Sequence, residues 1–435
     1  MFKRLLLILI VLAAAAAAVV WISGKSVSIT PAPDPIAFIG NSTPVSALVE
    51  GPRGTKQFRV SVEQNGQSKV VFEDHTKTPQ THRSYTFDIG HKQADFLKEG
   101  AATVTLEAKA NDLRGKSTKV VYPVQVILHK PSVAADGAQH YINQGGSELV
   151  TFDVNGVWSQ AGVKIGPYTA ASFALPGQPD NSSHRFSLFP FSWELPVDTQ
   201  PVVFVRNAAG DQSTATFWTR IFPKKFHRST INLTDALMQK IVSDIDPDRK
   251  IQGDLLARFL YCNRELRKQN SRKLYALRLN TAHQILWKGP FERPPTKTES
   301  YFADRRTYVY QGKKVDEQTH LGFDLAGTQH MPIVAANSGK VIWADRLGIY
   351  GNCIVVDHGY GLQTIYGHLS RIDVKPGDTV AKHQGMGLSG QTGMAGGDHL
   401  HFSMQVDGVQ VNPVEWWDEH WIHDRILSKI GSQSK

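Results

Sequence analysis

The chain has 435 residues, 41% apolar and 20% charged, with a net charge of +9 and a pI near 9.3. That length and apolar share supply cores for two to four domains, which excludes a single small module. The two cysteines, Cys262 and Cys353, exclude a disulfide framework; they fall in dissimilar segments and are expected as two separate buried thiols.

Met1-Phe2-Lys3-Arg4 precedes an uncharged apolar run from Leu5 to Ile22, just long enough to span a bilayer. The positive residues before it would keep the N-terminus in the cytoplasm and place the rest outside. Ala13 to Ala18 offers Ala-x-Ala cleavage sites, but the chain stays apolar through Val19-Val20-Trp21-Ile22, so residues 1–26 are expected to be an uncleaved inner-membrane anchor rather than a signal peptide. The basic balance admits nucleic acid or an anionic cell envelope as partner. An exported body without a nucleic-acid fold signature favours the envelope, so the expected location is periplasmic or extracytoplasmic, with no nucleic-acid partner.

Residues 27–130 read as a β-sandwich of immunoglobulin-like kind. Phe58-Arg59-Val60-Ser61-Val62 alternates, Asn65-Gly66 signals a hairpin, and Val120 to Leu128 forms a further strand in which Pro123 requires an edge. Residues 131–228 form a second β-rich stretch, in which Phe186, Phe189, Phe191 and Trp193 are expected as packing rather than a sugar-binding surface. The two stretches could also dock cell-envelope proteins.

Residues 229–289 read as a basic helical linker. Thr234 is the expected N-cap of one helix, and Ile251 to Lys268 forms a longer one with Leu255, Leu256, Phe259, Leu260 and Leu266 on an apolar stripe. Its arginines and lysines are expected on a solvated face beside a packed one. Pro290, Pro294 and Pro295 mark the entry to the last domain, residues 290–435, expected to be separable from what precedes it.

In that domain short β-branched and aromatic runs are broken by Gly and Asn, as antiparallel strands require. Three groups stand out: His320-Leu321-Gly322-Phe323-Asp324, Tyr366-Gly367-His368-Leu369 and His399-Leu400-His401. A hydrolytic zinc site takes three N or O ligands and keeps a fourth position for water; His320, Asp324 and His401 could supply the three. Residues two apart on a strand share a face, so His399 and His401 address one site, though spacing alone leaves open which of them binds metal. His420 and Asp424 repeat the His-x-x-x-Asp spacing in a segment that reads as a C-terminal helix, and are expected to be structural. His358 is expected as a structural hydrogen-bonding group, and His330 and His383 as exposed loop residues. The Gly-rich stretch from Gly387 to Asp398 has no phosphate-loop spacing and reads as a turn-rich loop at the mouth of the site.

From about Tyr301 to Pro413 these motifs, with Gly351-Asn352-x-Ile354-Val355-Val356-Asp357-His358-Gly359, Gly390-x-Thr392-Gly393 and Asn412-Pro413, resemble the LytM/lysostaphin-type zinc endopeptidases of peptidase family M23. The resemblance implies an antiparallel β-sheet metallopeptidase domain, giving a mainly β multidomain chain overall. It implies one Zn2+ held by His320, Asp324 and His401, with His368 and His399 as catalytic histidines, and an endopeptidase acting on the peptide cross-links of bacterial peptidoglycan. The alternative is a non-catalytic envelope scaffold or an activator of a cell-wall amidase. The segment Ser300-Tyr301-Phe302-Ala303-Asp304 departs from the family pattern, which has a Gly close to the Phe.

Overall fold

A computed structural model describes residues 26–76, 78, 80–111 and 115–431. The apolar run Leu5–Ile22 lies outside them; among the described residues no helix is long and apolar enough to cross a membrane. The chain is mainly β and divides into two compact units.

Among the described residues, the first unit holds the chain up to Ser132, with Asn155–Gln160 and Val205–Ser213 added. Its sandwich pairs a three-stranded sheet (Ser28–Ala32, Thr43–Glu50, His82–Ile89) with a five-stranded one that includes Thr55–Gln64, Gly100–Ala110 and Ser117–Val126. Strict alternation sends Phe58, Val60 and Val62, and opposite them Val45, Ala47 and Val49, into one core. Asn65 and Gly66 turn the hairpin with φ of 51° and 79°, the left-handed values such a turn demands. Pro123 is tolerated because the flanking strand, Phe38–Ile39, pairs only with Gln125 and Val126 and leaves Pro123 on an open flank.

The second unit runs from Val133 to Lys435, apart from the two inserts assigned to the first. It contains most of the second β-rich stretch and the helices as well as residues 290–435. Leu149, Phe186 and Leu188 share one core with Trp287, Phe291, Tyr366, Phe402 and Trp416. Phe186, Phe189 and Phe191 are buried and Trp193 is half-buried, so these aromatics pack. The expected boundary at Pro290 therefore cuts through a hydrophobic core. It is also bridged by backbone, because Arg228–Leu233 lies parallel to Asp304–Tyr310 in one sheet.

Thr234 Oγ1 caps the helix Asp235–Ile245 by accepting from Leu237 N at 3.2 Å. The longer helix begins at Leu255, where the Asp254 side chain accepts from Ala257 N at 2.8 Å, later than the expected Ile251. It continues through a π-turn, Cys262–Leu266, into Arg267–Leu277, well past Lys268. The charged run from Arg264 to Lys273 hides the reason in the sequence: Leu274 and Leu277 pack on Ile349, Cys353, Val355 and Ile365. Phe259, Met238 and Val242 pack on Tyr308. These helices are thus built into the second unit.

An eight-stranded sheet forms the centre of this unit, in the order Lys297–Ser300, Phe323–Ala326, Leu400–Val406, Leu362–Leu369, Asn352–Asp357, Gly339–Arg346, Thr379–Val380, with Val409–Val411 paired to Leu400–Val406. Every residue of Leu362–Leu369 and Leu400–Val406 is buried, and polar ones among them are hydrogen-bonded: Gln363 and Gln405 donate to Leu277 O and Leu274 O, and Ser403 Oγ donates to Leu321 O.

Glu415 joins this sheet's C-terminal end to the second β-rich stretch. Its carboxylate accepts from Asn143 Nδ2 at 2.8 Å and Ser147 N at 2.9 Å, while Trp416 Nε1 donates to Ser147 Oγ at 3.2 Å. Burial pushes the carboxyl up to about 7 against the pull of those hydrogen bonds. Between its ordinary value of 4.5 and about 7 the folded state binds more protons than the unfolded state, so stability falls as pH rises through that window. A shift of this size corresponds to a loss on the order of 3 kcal/mol. Glu415→Gln should flatten this part of the curve. Denaturant unfolding of both proteins at intervals from pH 5 to 8 checks it; parallel curves would refute the assignment.

Candidate metal centre and its groove

One rung of the central sheet brings the first groups together. Asp324 stands directly opposite His401 on the neighbouring strand, and His401 faces Gly367 on its other side. The His401 ring fills the space that Gly322 leaves: a Cβ at Gly322 would sit 2.6 Å from His401 Cε1. Tyr350 flanks the same ring, with centroids 5.3 Å apart. His320 arrives from the end of the strand Lys313–His320, where its carbonyl accepts from Ala303 N at 2.7 Å.

His320 Nε2 lies 2.9 Å from both Asp324 Oδ1 and His401 Nδ1, and His401 Nδ1 lies 3.1 Å from Asp324 Oδ1. His320 Nδ1 is 3.1 Å from the Tyr301 carbonyl and 3.3 Å from Ser300 Oγ. A carbonyl only accepts, so Nδ1 carries the proton and Nε2 turns a lone pair inward. Burial lowers the pKa of His320, and that of His401 to about 4, which keeps both rings neutral. Burial works against the Asp324 charge, but His320, His399 and His401 outweigh it and hold the carboxyl well below its usual range. With both rings neutral at most one proton, on His401 Nδ1, lies among three converging donor atoms, an arrangement a cation satisfies. Ligands at about 2.0–2.1 Å from a tetrahedral zinc stand about 3.3 Å apart, close to the spacing of these three atoms. The donor set fits zinc.

Two further histidines border this triangle. His368 Nδ1 donates to Thr392 O at 2.8 Å and His399 Nδ1 to Gly397 O at 2.9 Å, so both carry the Nε2 lone pair when neutral. Their ring centroids are 4.8 Å apart. His399 shares its strand face with His401, whereas His368 reaches the site by a backbone twist, with φ of 65°. His399 Nε2 is 3.4 Å from Asp324 Oδ1, farther than the three converging atoms are from one another.

Several contributors carry no signal of their own in the sequence. Arg306 Nη2 donates to Asp324 Oδ2 at 2.6 Å, fixing the carboxylate so that Oδ1 points to the histidines. Asp304 accepts from Ser229 Oγ at 2.7 Å, His227 Nδ1 at 3.0 Å and Ser300 Oγ at 3.1 Å, and Ser300 in turn abuts His320. Asp304, Arg306 and Tyr308 alternate along one strand and all face the cavity. The departure from the family pattern has a definite form: Ala303 takes φ of 59°, a conformation that glycine adopts without penalty. The cavity, about 420 Å³, is closed on another side by Arg267 and Ser271 of the long helix. The other helix holds the Gly-rich loop: Lys240 Nζ donates to Gln391 Oε1 and Gly396 O, and Asp244 Oδ2 accepts from Gly393 N.

The remaining histidines lie apart. His358 is buried, with Nδ1 donating to Ser338 O at 2.8 Å and Nε2 against Thr364 Oγ1. His330 and His383 are exposed, as are His420 and Asp424 in the C-terminal helical segment. Cys262 and Cys353 are unpaired and buried.

Residues 318–413 match the family model for peptidase family M23. The chain is 37% identical over 95 residues to the DD-carboxypeptidase/endopeptidase Mpg of Neisseria meningitidis, 22% of each chain. It is 38% identical over 129 residues to the peptidoglycan DD-endopeptidase ShyA of Vibrio cholerae, 29% of each. The match thus spans less than a third of either relative's length. The solved catalytic domain of lysostaphin from Staphylococcus simulans is 28% identical with a TM-score of 0.24, over 28% of this chain and 92% of that one. Residues 318–413 are thus a peptidase family M23 domain at the C-terminus of a mainly β chain.

Proposed function

We propose that this protein is a zinc-dependent endopeptidase that hydrolyses the peptide cross-links of bacterial peptidoglycan, tethered at the inner membrane by residues 5–22. The observation that carries the reading is the convergence of His320 Nε2, Asp324 Oδ1 and His401 Nδ1 beside two histidines with inward lone pairs. Peptidoglycan endopeptidases among the relatives support the substrate class. When bound, zinc supplies a Lewis acid for a scissile carbonyl and acidifies a water.

The chain's own residues do the rest. Arg306 anchors the outer oxygen of Asp324, and the Ser300–Asp304 link steadies His320, so the ligand geometry is set before substrate arrives. His368 and His399, each held through Nδ1 by a backbone carbonyl, present Nε2 to take a proton from the attacking water. Once protonated, they donate to the oxyanion or the leaving amine. Incubation of the protein with sacculi, followed by mass spectrometry of the released muropeptides, tests the reading; intact cross-links with a zinc-loaded protein would refute it.

Two variant sets separate the roles. His320→Ala, Asp324→Ala or His401→Ala should each remove most bound zinc, because two ligands hold a divalent ion poorly. Metal analysis of purified protein decides, and full occupancy in His401→Ala would sink the ligand set. His368→Asn and His399→Gln should keep zinc and the fold yet lose about 10²-fold or more in kcat/KM. Asn is chosen at 368 because it tolerates the left-handed backbone there. Loss of zinc in either folded variant would contradict their assignment as proton-transfer groups.

A further inference from the structure

Beside the catalytic cavity lies a second groove of about 510 Å³, and Arg267 and Ser271 line both. One wall is the helix Arg267–Leu277 with the preceding π-turn, which brings Arg264, the adjacent pair Arg267 and Lys268, and Arg272 to the groove from successive turns. The other wall is Asp316 and Gln318, on the strand that ends at His320. A strand advances about 3.4 Å per residue, so Gln318 stands about 7 Å, or two residues of extended peptide, from the first metal ligand.

The charges in this groove are unbalanced. Asp316 is its one carboxylate, and both oxygens are engaged: Oδ1 by Arg264 Nε at 3.0 Å and Oδ2 by Asn263 Nδ2 at 2.8 Å. Lys268 pairs outside the groove with Glu265 at 2.9 Å. Among the described residues no carboxylate lies within ion-pair distance of Arg267 or Arg272. Arg267 is also held in place, with Nε donating to Asn263 O at 3.1 Å and Nη2 to Asn263 Oδ1 at 2.8 Å. A guanidinium fixed in this way binds an anion with little further loss of rotamer freedom.

We propose that Arg267 and Arg272 form a carboxylate-binding subsite, which takes a free carboxylate of the peptide substrate about two residues from the bond that is cut. The subsite rests on the peptidase reading above and makes it specific: the substrate is an acidic peptide, positioned by charge-assisted hydrogen bonds. It also accounts for a basic helix packed beside a metal centre rather than facing solvent throughout.

The test uses the zinc-loaded full chain and two soluble cross-linked peptides that differ only in whether the carboxylates flanking the scissile bond are free or amidated. Wild type should favour the free-carboxylate peptide by about tenfold or more in kcat/KM, mostly through KM, the expected size for a charge-assisted contact. Arg267→Gln and the exposed Arg272→Gln should bring that ratio towards 1. Lys250→Gln, which removes a positive charge outside the groove, should leave it in place. A ratio that survives in both arginine variants, or falls equally in Lys250→Gln, overturns the subsite; the latter would signal general attraction of an acidic chain to a basic protein. If wild type cleaves neither peptide, the peptidase reading fails, and calorimetric binding of the same two peptides still decides the subsite. A Kd that does not distinguish them, or does not weaken in the arginine variants, overturns it.

Discussion

Asp324, His401 and Gly367 occupy one rung of the central sheet, and the geometry of the site follows from that register. Side chains alternate along strands, so a slip of one residue in either pairing would turn Asp324 or His401 to the opposite face and leave a buried carboxylate without its partners. The strands that fix the register are buried on both faces, and a wrong pairing would expose or misplace their whole apolar set. Precision at the candidate metal ligands is thus a consequence of core packing. Gly322 completes it by leaving the space into which the His401 ring fits.

Around this rung the protein adds walls from segments far away in sequence. The strand Arg228–Leu233 brings Ser229 to Asp304, the helix Asp235–Ile245 grips the loop whose Thr392 carbonyl orients His368, and the helix Arg267–Leu277 supplies Arg267. Leu149, Phe186 and Leu188 bury surface that a domain beginning at Pro290 would leave wet. The part of the chain before the family motifs therefore shapes the groove.

Much of this was legible in the sequence because its physical causes are local. Alternation exposed the strands, Thr234 announced a helix start, and the His-x-Gly-x-Asp and His-x-His spacings marked residues that strand periodicity puts on one face. The unread parts depend on contacts that no local pattern encodes. Arg306 looks like any strand arginine until Asp324 is placed beside it. The helix beyond Lys268 was masked by a charged run whose two leucines, Leu274 and Leu277, matter only because Ile349 and Val355 lie opposite. The proline-rich entry at Pro290 resembled a domain linker because composition cannot reveal that the apolar residues on both sides meet in one core. The glycine missing near Phe302 was visible, but its consequence, an alanine held at positive φ, was not.

The contact between His320 and His401 closes a separation of 81 residues, and Arg228–Leu233 finds its partner strand only after the intervening helices have been laid down. Pairings of this range are slow to form, since the entropy of closing the chain is lost before any contact rewards it. An ion meeting the nascent polypeptide would find His320 and Asp324 but no third ligand. The three donor atoms of the triangle therefore come together only in the finished sheet. In this respect the protein is the reverse of a zinc finger, whose fold exists only because the ion is already there.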